Sequence, residues 1–383
     1  MEDALTIVIL GVVVYLLKLD TKQSILAMVA GITLNETTKS HTLKLNRVND
    51  SRGMNESLIL EAKLNGIETL FMLDTGYAGP AVLSSSYLVV QEHCRKGNVL
   101  KRYRDSIDRL RQGVKDDDRH RMIDQLIRHR ECQSYTSGCT MTLAGIGSVV
   151  EQQADMLMCK PLMFKNTWGR FVAPSSPSKP KADVLVTNAL PVSVNILTCD
   201  YLLHSSPALI KMKRQTLELF LSPLVVDLIR YTFVFVEARM MGGAFVIPIV
   251  LDGGETLKVT MDTGAPGPIC MNKNAISKLK TCRRPQPKKV TQKGVNGEQI
   301  CSDVLFVSAS LAGIHLDEVG IFVNDMNAEG VDGYVGLGVL RALDILITPS
   351  QIGFRKSGLH PLQSFAGAVD GMCSAAYACQ TSS

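Results

Sequence analysis

The sequence predicts a mostly β chain built from two similar lobes, with a helical insertion in the first lobe. Three observations predict this. A strand, turn, strand and polar loop occur twice, the loops beginning at Asp74 and Asp262. Each copy is followed by further apolar strands in a matching order. A charge-rich stretch with helical spacing, Gln91 to Cys132, interrupts only the first copy.

The repeat can be followed residue by residue. Leu64-Asn65-Gly66-Ile67 is an apolar–turn–apolar signal, and Asn-Gly between apolar runs favours a tight hairpin. Phe71-Met72-Leu73 then leads into Asp74-Thr75-Gly76-Tyr77-Ala78-Gly79-Pro80. Downstream, Leu251-Asp252-Gly253-Gly254 and the strand Lys258 to Met261 lead into Asp262-Thr263-Gly264-Ala265-Pro266-Gly267-Pro268. Short apolar strands follow both, Ala81-Val82-Leu83 and Ile269-Cys270-Met271. Glycine-bearing turns come next, at Gly145-Ile146-Gly147-Ser148 and Gly294-Val295-Asn296-Gly297. Each half closes on an apolar segment, Asn195 to Leu202 and Gly333 to Leu340, and then two more strands.

In the insertion, Leu100, Ile107, Leu110, Met122, Ile123, Leu126 and Ile127 recur at helical spacing among dense mixed charge. This predicts one or two exposed helices. Arg102, Arg104, Arg109 and Arg111 interleave with Asp105 and Asp108, which reads as a charged helix face. Asp116-Asp117-Asp118 reads as a solvated acidic turn. Val172 to Lys181 and Arg283 to Lys289 are predicted surface loops, rich in proline with serine or basic residues. Tyr231 to Val236 is rich in β-formers and is expected to start the second lobe. The expected domains are residues 55–220 and 230–356, preceded by an apolar segment at 1–34 and followed by a flexible tail at 357–383.

Composition narrows the function classes. The chain has 383 residues, 46% hydrophobic and 20% charged, which suits two globular cores. A net charge of +5 offers no strong basic field, so no nucleic-acid partner is expected. The 10 cysteines form no C-x-x-C pair and the 7 histidines no H-E-x-x-H, so no metal site is legible. Ala4 to Leu17 is uncharged and mostly apolar. It is shorter than the roughly 20 residues of a full span. It has two readings, a membrane anchor with membrane association through residues 4–17, or a buried core segment. Asn35, Asn49 and Asn55 begin N-glycosylation sequons, which matter only if that part faces a secretory lumen.

The chemistry lies in the two loops. Each delivers an aspartate from a strand end into a turn that a glycine allows to be sharp. Two carboxylates within hydrogen-bond reach cannot both ionise, so they share a proton. Such a pair activates a water and polarises a carbonyl without metal or organic cofactor.

These motifs resemble the retropepsin and pepsin superfamily of aspartic peptidases. The resemblance rests on Phe71 to Gly76, Val259 to Ala265, the two glycine turns and Tyr334-Val335-Gly336. It covers both predicted lobes. It implies two retropepsin-like β-barrel lobes fused in one chain, in a pseudo-two-fold arrangement. It implies an aspartic endopeptidase that takes a polypeptide substrate between the lobes and works as a monomer, an internal pseudo-dimer. By the same resemblance Asp74 and Asp262 are catalytic, and Thr75 and Thr263 grip the lobes together. Gly76, Gly264, Ile146, Gly147, Val295 and Asn296 bind substrate. Two departures stand out. Tyr77 occupies a place where the family has a small residue, and Thr198 stands where a structural glycine is expected. They motivate the alternative of a catalytically inactive relative that binds peptides or partner proteins.

Overall fold

Apolar runs punctuated by Asn-Gly, Asp-Gly and Gly-Pro leave short strands as the economical way to pair the backbone. The computed structural model follows that pattern. It describes residues 42–49, 56–77, 79–145, 148–173, 182–187, 194–199, 201, 207–219, 226, 229–241, 244–279, 286–293, 299–324, 330–348 and 350–357. The apolar run at 4–17 and the tail beyond 357 lie outside these residues. Among the described residues no helix is long and apolar enough to cross a membrane.

The first half contains β1 (Thr42–Asn49), β2 (Glu56–Leu64), β3 (Ile67–Asp74), β4 (Ala81–Ser84), β5 (Cys132–Gly145) and β6 (Ser148–Cys159). It continues with β7 (Met163–Lys165), β8 (Phe171–Val172), β9 (Ala182–Thr187), β10 (Asn195–Thr198), β11 (Ala208–Lys211) and β12 (Thr216–Leu219). The second half contains β13 (Val234–Glu237), β14 (Arg239–Met241), β15 (Ala244–Leu251), β16 (Thr256–Met261), β17 (Ile269–Asn272) and β18 (Gln286–Lys293). It ends with β19 (Gln299–Leu311), β20 (Ile314–Asn324), β21 (Gly333–Val335), β22 (Leu343–Ile347) and β23 (Gln351–Lys356). Among the described residues the α-helices are α1 (Ser85–His93), α2 (Val99–Arg111), α3 (Asp116–Arg128) and α4 (Leu337–Leu340).

The same strand path occurs in both halves. It runs β2-β3-β10-β4-β9-β6-β5 in the first and β15-β16-β21-β17-β20-β19-β18 in the second. The senses match as well. β3 with β10 and β16 with β21 are parallel, and so are β4 with β9 and β17 with β20. A further sheet joins the halves in the order β13-β23-β22-β11-β12-β1, with β11 antiparallel to β22 from Ala208↔Ile347 to Lys211↔Asp344. The Asn-Gly turn after β2 has φ of 45° at Asn65 and 77° at Gly66, as a two-residue hairpin requires.

Burial separates the halves. In β16 the residues alternate, with Leu257, Val259 and Met261 inward and Thr256 and Lys258 exposed. In β3 every residue from Thr69 to Leu73 is buried. Phe71 and Leu73 join the main core, while Leu70 and Met72 join a second cluster with Tyr87, Val99 and Tyr103 of α1 and α2. The helices therefore cover the outer face of the first sheet, which explains its continuous apolar reading.

Three details differ from the sequence expectation. α1 is an additional helix, although its sequence SSYLVVQEH is rich in β-formers. Ser84 caps it by accepting from the Tyr87 N–H at 3.2 Å, and packing on both clusters overrides propensity. The predicted loop at 283–289 becomes strand from Gln286 onward, because β18 pairs with β19 across a bulge between Gln286 and Lys289. Arg102 is not on a solvated face. It is buried and bonds Glu61 at 2.9 Å, and Lys165 reaches the same carboxylate at 3.2 Å.

That ion pair fastens α2 to β2. Glu61→Ala leaves a buried guanidinium without its carboxylate and is expected to lower the unfolding free energy by about 3–5 kcal/mol. Arg109→Ala on the exposed side of α2 should change it by less than about 0.5 kcal/mol. Urea denaturation of both variants checks this, and equal effects would contradict it.

Candidate active site

β3 ends at Asp74 and β16 ends at Met261, one residue before Asp262, and the chain turns sharply after each aspartate. In the first loop the N–H groups of Gly76 and Tyr77 donate to Asp74 Oδ1 at 2.9 and 3.0 Å. In the second, Gly264 and Ala265 donate to Asp262 Oδ1 at 2.8 and 3.0 Å. Each carboxylate is thus oriented by its own loop backbone.

The threonines hold the two loops against each other. Thr75 N–H donates to Thr263 Oγ1 at 3.1 Å, and Thr263 N–H donates to Thr75 Oγ1 at 3.0 Å. Each hydroxyl passes its own proton across, Thr75 to the Met261 carbonyl at 2.9 Å and Thr263 to the Leu73 carbonyl at 2.8 Å. Both side chains are fully buried, so every donor and acceptor in this set of four is spent inside the protein.

The glycines are required by space. A Cβ on Gly76 would lie 2.5 Å from Asp262 Cγ, and one on Gly264 would lie 2.7 Å from Asp74 Cγ. Each loop glycine therefore sits against the opposite carboxylate. The two carboxylates are close enough for each to influence the titration of the other. Desolvation raises the Asp74 pKa, and the N–H groups of Gly76 and Tyr77 work against the rise. Asp262 is pushed well above the ordinary carboxyl range, first by desolvation and then by the charge of Asp74. Burial raises both carboxyls, and two carboxylates this close resist ionising together.

Six of the predicted site residues, Asp74, Thr75, Gly76, Asp262, Thr263 and Gly264, meet in this cluster. Ile146, Gly147, Val295 and Asn296 lie outside the described residues, though the hairpins β5–β6 and β18–β19 that would carry them are present. Tyr77 does not simply point outward. It is half-buried against the cluster around Tyr87, and its hydroxyl pKa is raised to about 12 by burial and by Asp74.

Sequence reading missed what two polar residues do. Asn195, fully buried, accepts from the Ser84 N–H at 2.9 Å and donates to the Leu70 carbonyl at 3.0 Å. Thr198 donates to the Gly79 carbonyl at 2.6 Å. Their counterparts by strand pairing are Gly333 and Gly336, where a Cβ would strike backbone at 2.0 and 2.3 Å. The residues lay in view as polar groups in an apolar strand. Among the described residues, no group of His, Cys, Asp and Glu is arranged to hold a metal ion.

No family model matches the chain, and no curated protein sequence matches it. Among solved structures the chain is similar to basic 7S globulin from soybean, at 10% identity and a TM-score of 0.44, over 84% of this chain and 97% of that one. It is also similar to the EIAV protease in complex with the inhibitor HBY-793, at 18% identity and a TM-score of 0.21, over 26% and 86%. A retropepsin-like aspartic protease from Rickettsia conorii is similar at 20% identity and a TM-score of 0.24, over 33% and 92%.

The raised pKa of Asp262 has a consequence for stability. Between the ordinary value of 3.8 and its folded value, the unfolded chain has released a proton that the folded chain keeps. Stability contributed by this carboxyl is full below that window and is lost as pH rises through it. Asp262→Asn should flatten this fall and make the protein more stable than the parent at neutral pH. Thermal unfolding across acidic to neutral pH checks it, and an Asn variant less stable than the parent at neutral pH would contradict it.

Proposed function

We propose that this chain is an aspartic endopeptidase in which Asp74 and Asp262 form one catalytic dyad. The observation that carries the reading is the reciprocal closure of the two Asp-Thr-Gly loops, with each glycine against the opposite carboxylate. The repeated strand path supports two lobes in a pseudo-two-fold arrangement, with a polypeptide substrate lying between them. Both carboxylates come from one chain, so the unit of activity is a monomer.

In such a pair one carboxyl is ionised and the other protonated, and the two take different roles. The ionised partner, which we assign as Asp74, takes a proton from a water as the water oxygen attacks the scissile carbonyl carbon. Asp262 gives its proton to the carbonyl oxygen, which yields a gem-diol. When the C–N bond breaks, the proton held by Asp74 passes to the leaving nitrogen, and Asp262 regains one from a diol hydroxyl as the carboxyl product forms. The dyad returns to its starting state with no cofactor.

The alternative, an inactive peptide-binding relative, rests on Tyr77 and Thr198. Both still contact the Asp74 loop, Tyr77 through its N–H to the carboxylate and Thr198 through Gly79. Neither residue removes a hydrogen bond that the dyad needs.

The full chain should cleave unfolded casein at mildly acidic pH. Asp74→Asn and Asp262→Asn should each lower that rate by about 10³-fold, within the range of general acid–base catalysis. Either variant cleaving like the parent would end the dyad reading.

A further inference from the structure

We propose that Thr198 is a positioning residue for Asp74, tethering the loop after Asp74 through the Gly79 carbonyl. The proposal rests on the dyad reading and concerns how the first loop keeps its shape without the glycine that the second loop uses.

Thr198 lies opposite Asp74 in the parallel pair of β3 and β10 and is fully buried. Its hydroxyl donates to the Gly79 carbonyl at 2.6 Å and accepts from the Tyr201 N–H at 3.1 Å. The hydroxyl is therefore fixed from both sides. In the second half, strand pairing puts Gly336 in the corresponding place beside Asp262, whose N–H donates to the Val335 carbonyl at 2.9 Å. The loop there closes directly on the backbone. Gly338 N–H donates to the Gly267 carbonyl at 3.0 Å, and Leu337 N–H to the Ala265 carbonyl at 2.8 Å.

Gly79 and Gly267 hold the same place in the two Asp-Thr-Gly-x-x-Gly-Pro loops. Their carbonyls are thus held by different chemistry. A backbone N–H at the start of α4 serves the second, and a side-chain hydroxyl serves the first. A Cβ at 336 would sit 2.3 Å from the Gly267 carbonyl oxygen, so the backbone solution demands glycine. A threonine requires a roomier loop and supplies the bond itself. Thr198 is then a replacement for the close approach rather than a drifted residue that crowds it.

The tether acts on Asp74 through the loop. Gly76 and Tyr77 lie between Asp74 and Gly79, and their N–H groups stabilise the Asp74 carboxylate. Among the described residues, the titratable groups that act on or feel Asp74 most directly are Asp262 and Tyr77. Releasing Gly79 loosens the two N–H donors while leaving desolvation and Asp262 in place. The ionised form of Asp74 then loses support, and the lower apparent pKa of the pair rises.

The test uses the full chain carrying Thr198→Val, Thr198→Ser or Thr198→Gly, with the aspartate carboxyl carbons labelled with ¹³C and titrated by NMR. Thr198→Val should raise the lower apparent pKa of the pair by about half a unit or more. In cleavage assays it should move the acidic limb of the pH profile the same way. It should also lower kcat by about fivefold, the equivalent of one net hydrogen bond, with KM little changed. Thr198→Ser should restore the parent titration and rate. Thr198→Gly separates the two explanations by sign. A tether predicts that it behaves like Val, and a crowding residue predicts that it increases kcat. A folded Val or Gly variant that titrates like the parent, or a Gly variant that is faster, would overturn the proposal. If Thr198→Val does not fold, the Ser and Gly variants decide it. A parent that fails to cleave removes the peptidase reading, and the carboxyl titration still decides the tether.

Discussion

The site depends on four hydrogen bonds exchanged by Thr75 and Thr263. They join two loops from distant parts of the chain, and they are fully buried. A net hydrogen bond contributes only about 1 kcal/mol, but a buried donor or acceptor left unpaired costs about 1–3 kcal/mol. The set therefore enforces itself, since losing one threonine strands its partners. A position error of a side-chain width would bring Gly76 or Gly264 out from beneath the opposing carboxylate and separate the pair. Desolvation and like charge then do the rest, because two carboxylates held together cannot both remain ionised.

Around that shared centre the halves solve the same problem differently. In the second half β16 alternates between buried and exposed residues, while β17 and β21 are buried throughout. This half uses Gly333 and Gly336 to bring backbone onto backbone. The first half carries α1 and α2 on its outer face and uses Asn195 and Thr198, whose side chains bond the same neighbourhood of backbone groups. Tyr77 belongs to this difference. A ring there has the helix-covered cluster to pack against, whereas Ala265 faces the small cluster of Cys270 and Tyr334.

Much of this was legible in the sequence because the repeat is written in strand, turn and loop residues whose local chemistry is strong. Asn65-Gly66 and the paired Asp-Thr-Gly loops specify backbone shape directly. α1 was not legible, because SSYLVVQEH satisfies strand propensity and only its Ser84 cap and tertiary packing make it helical. Arg102 was misread because local charge pattern does not reveal a partner at Glu61, far away in sequence. Thr198 was visible as a departure from a family pattern, yet its use required knowing that Gly79 lies within reach of its hydroxyl. The residues expected at the hairpin tips, Ile146, Gly147, Val295 and Asn296, fall outside the described residues.

The central claim is that Asp74 and Asp262 form one site holding one proton. Neutron diffraction from deuterium-exchanged crystals at mildly acidic pH measures this most directly. The account predicts a single deuteron shared between the two carboxylates. Two separately protonated carboxyls, two bare carboxylates, or side chains too far apart to share a deuteron would contradict it.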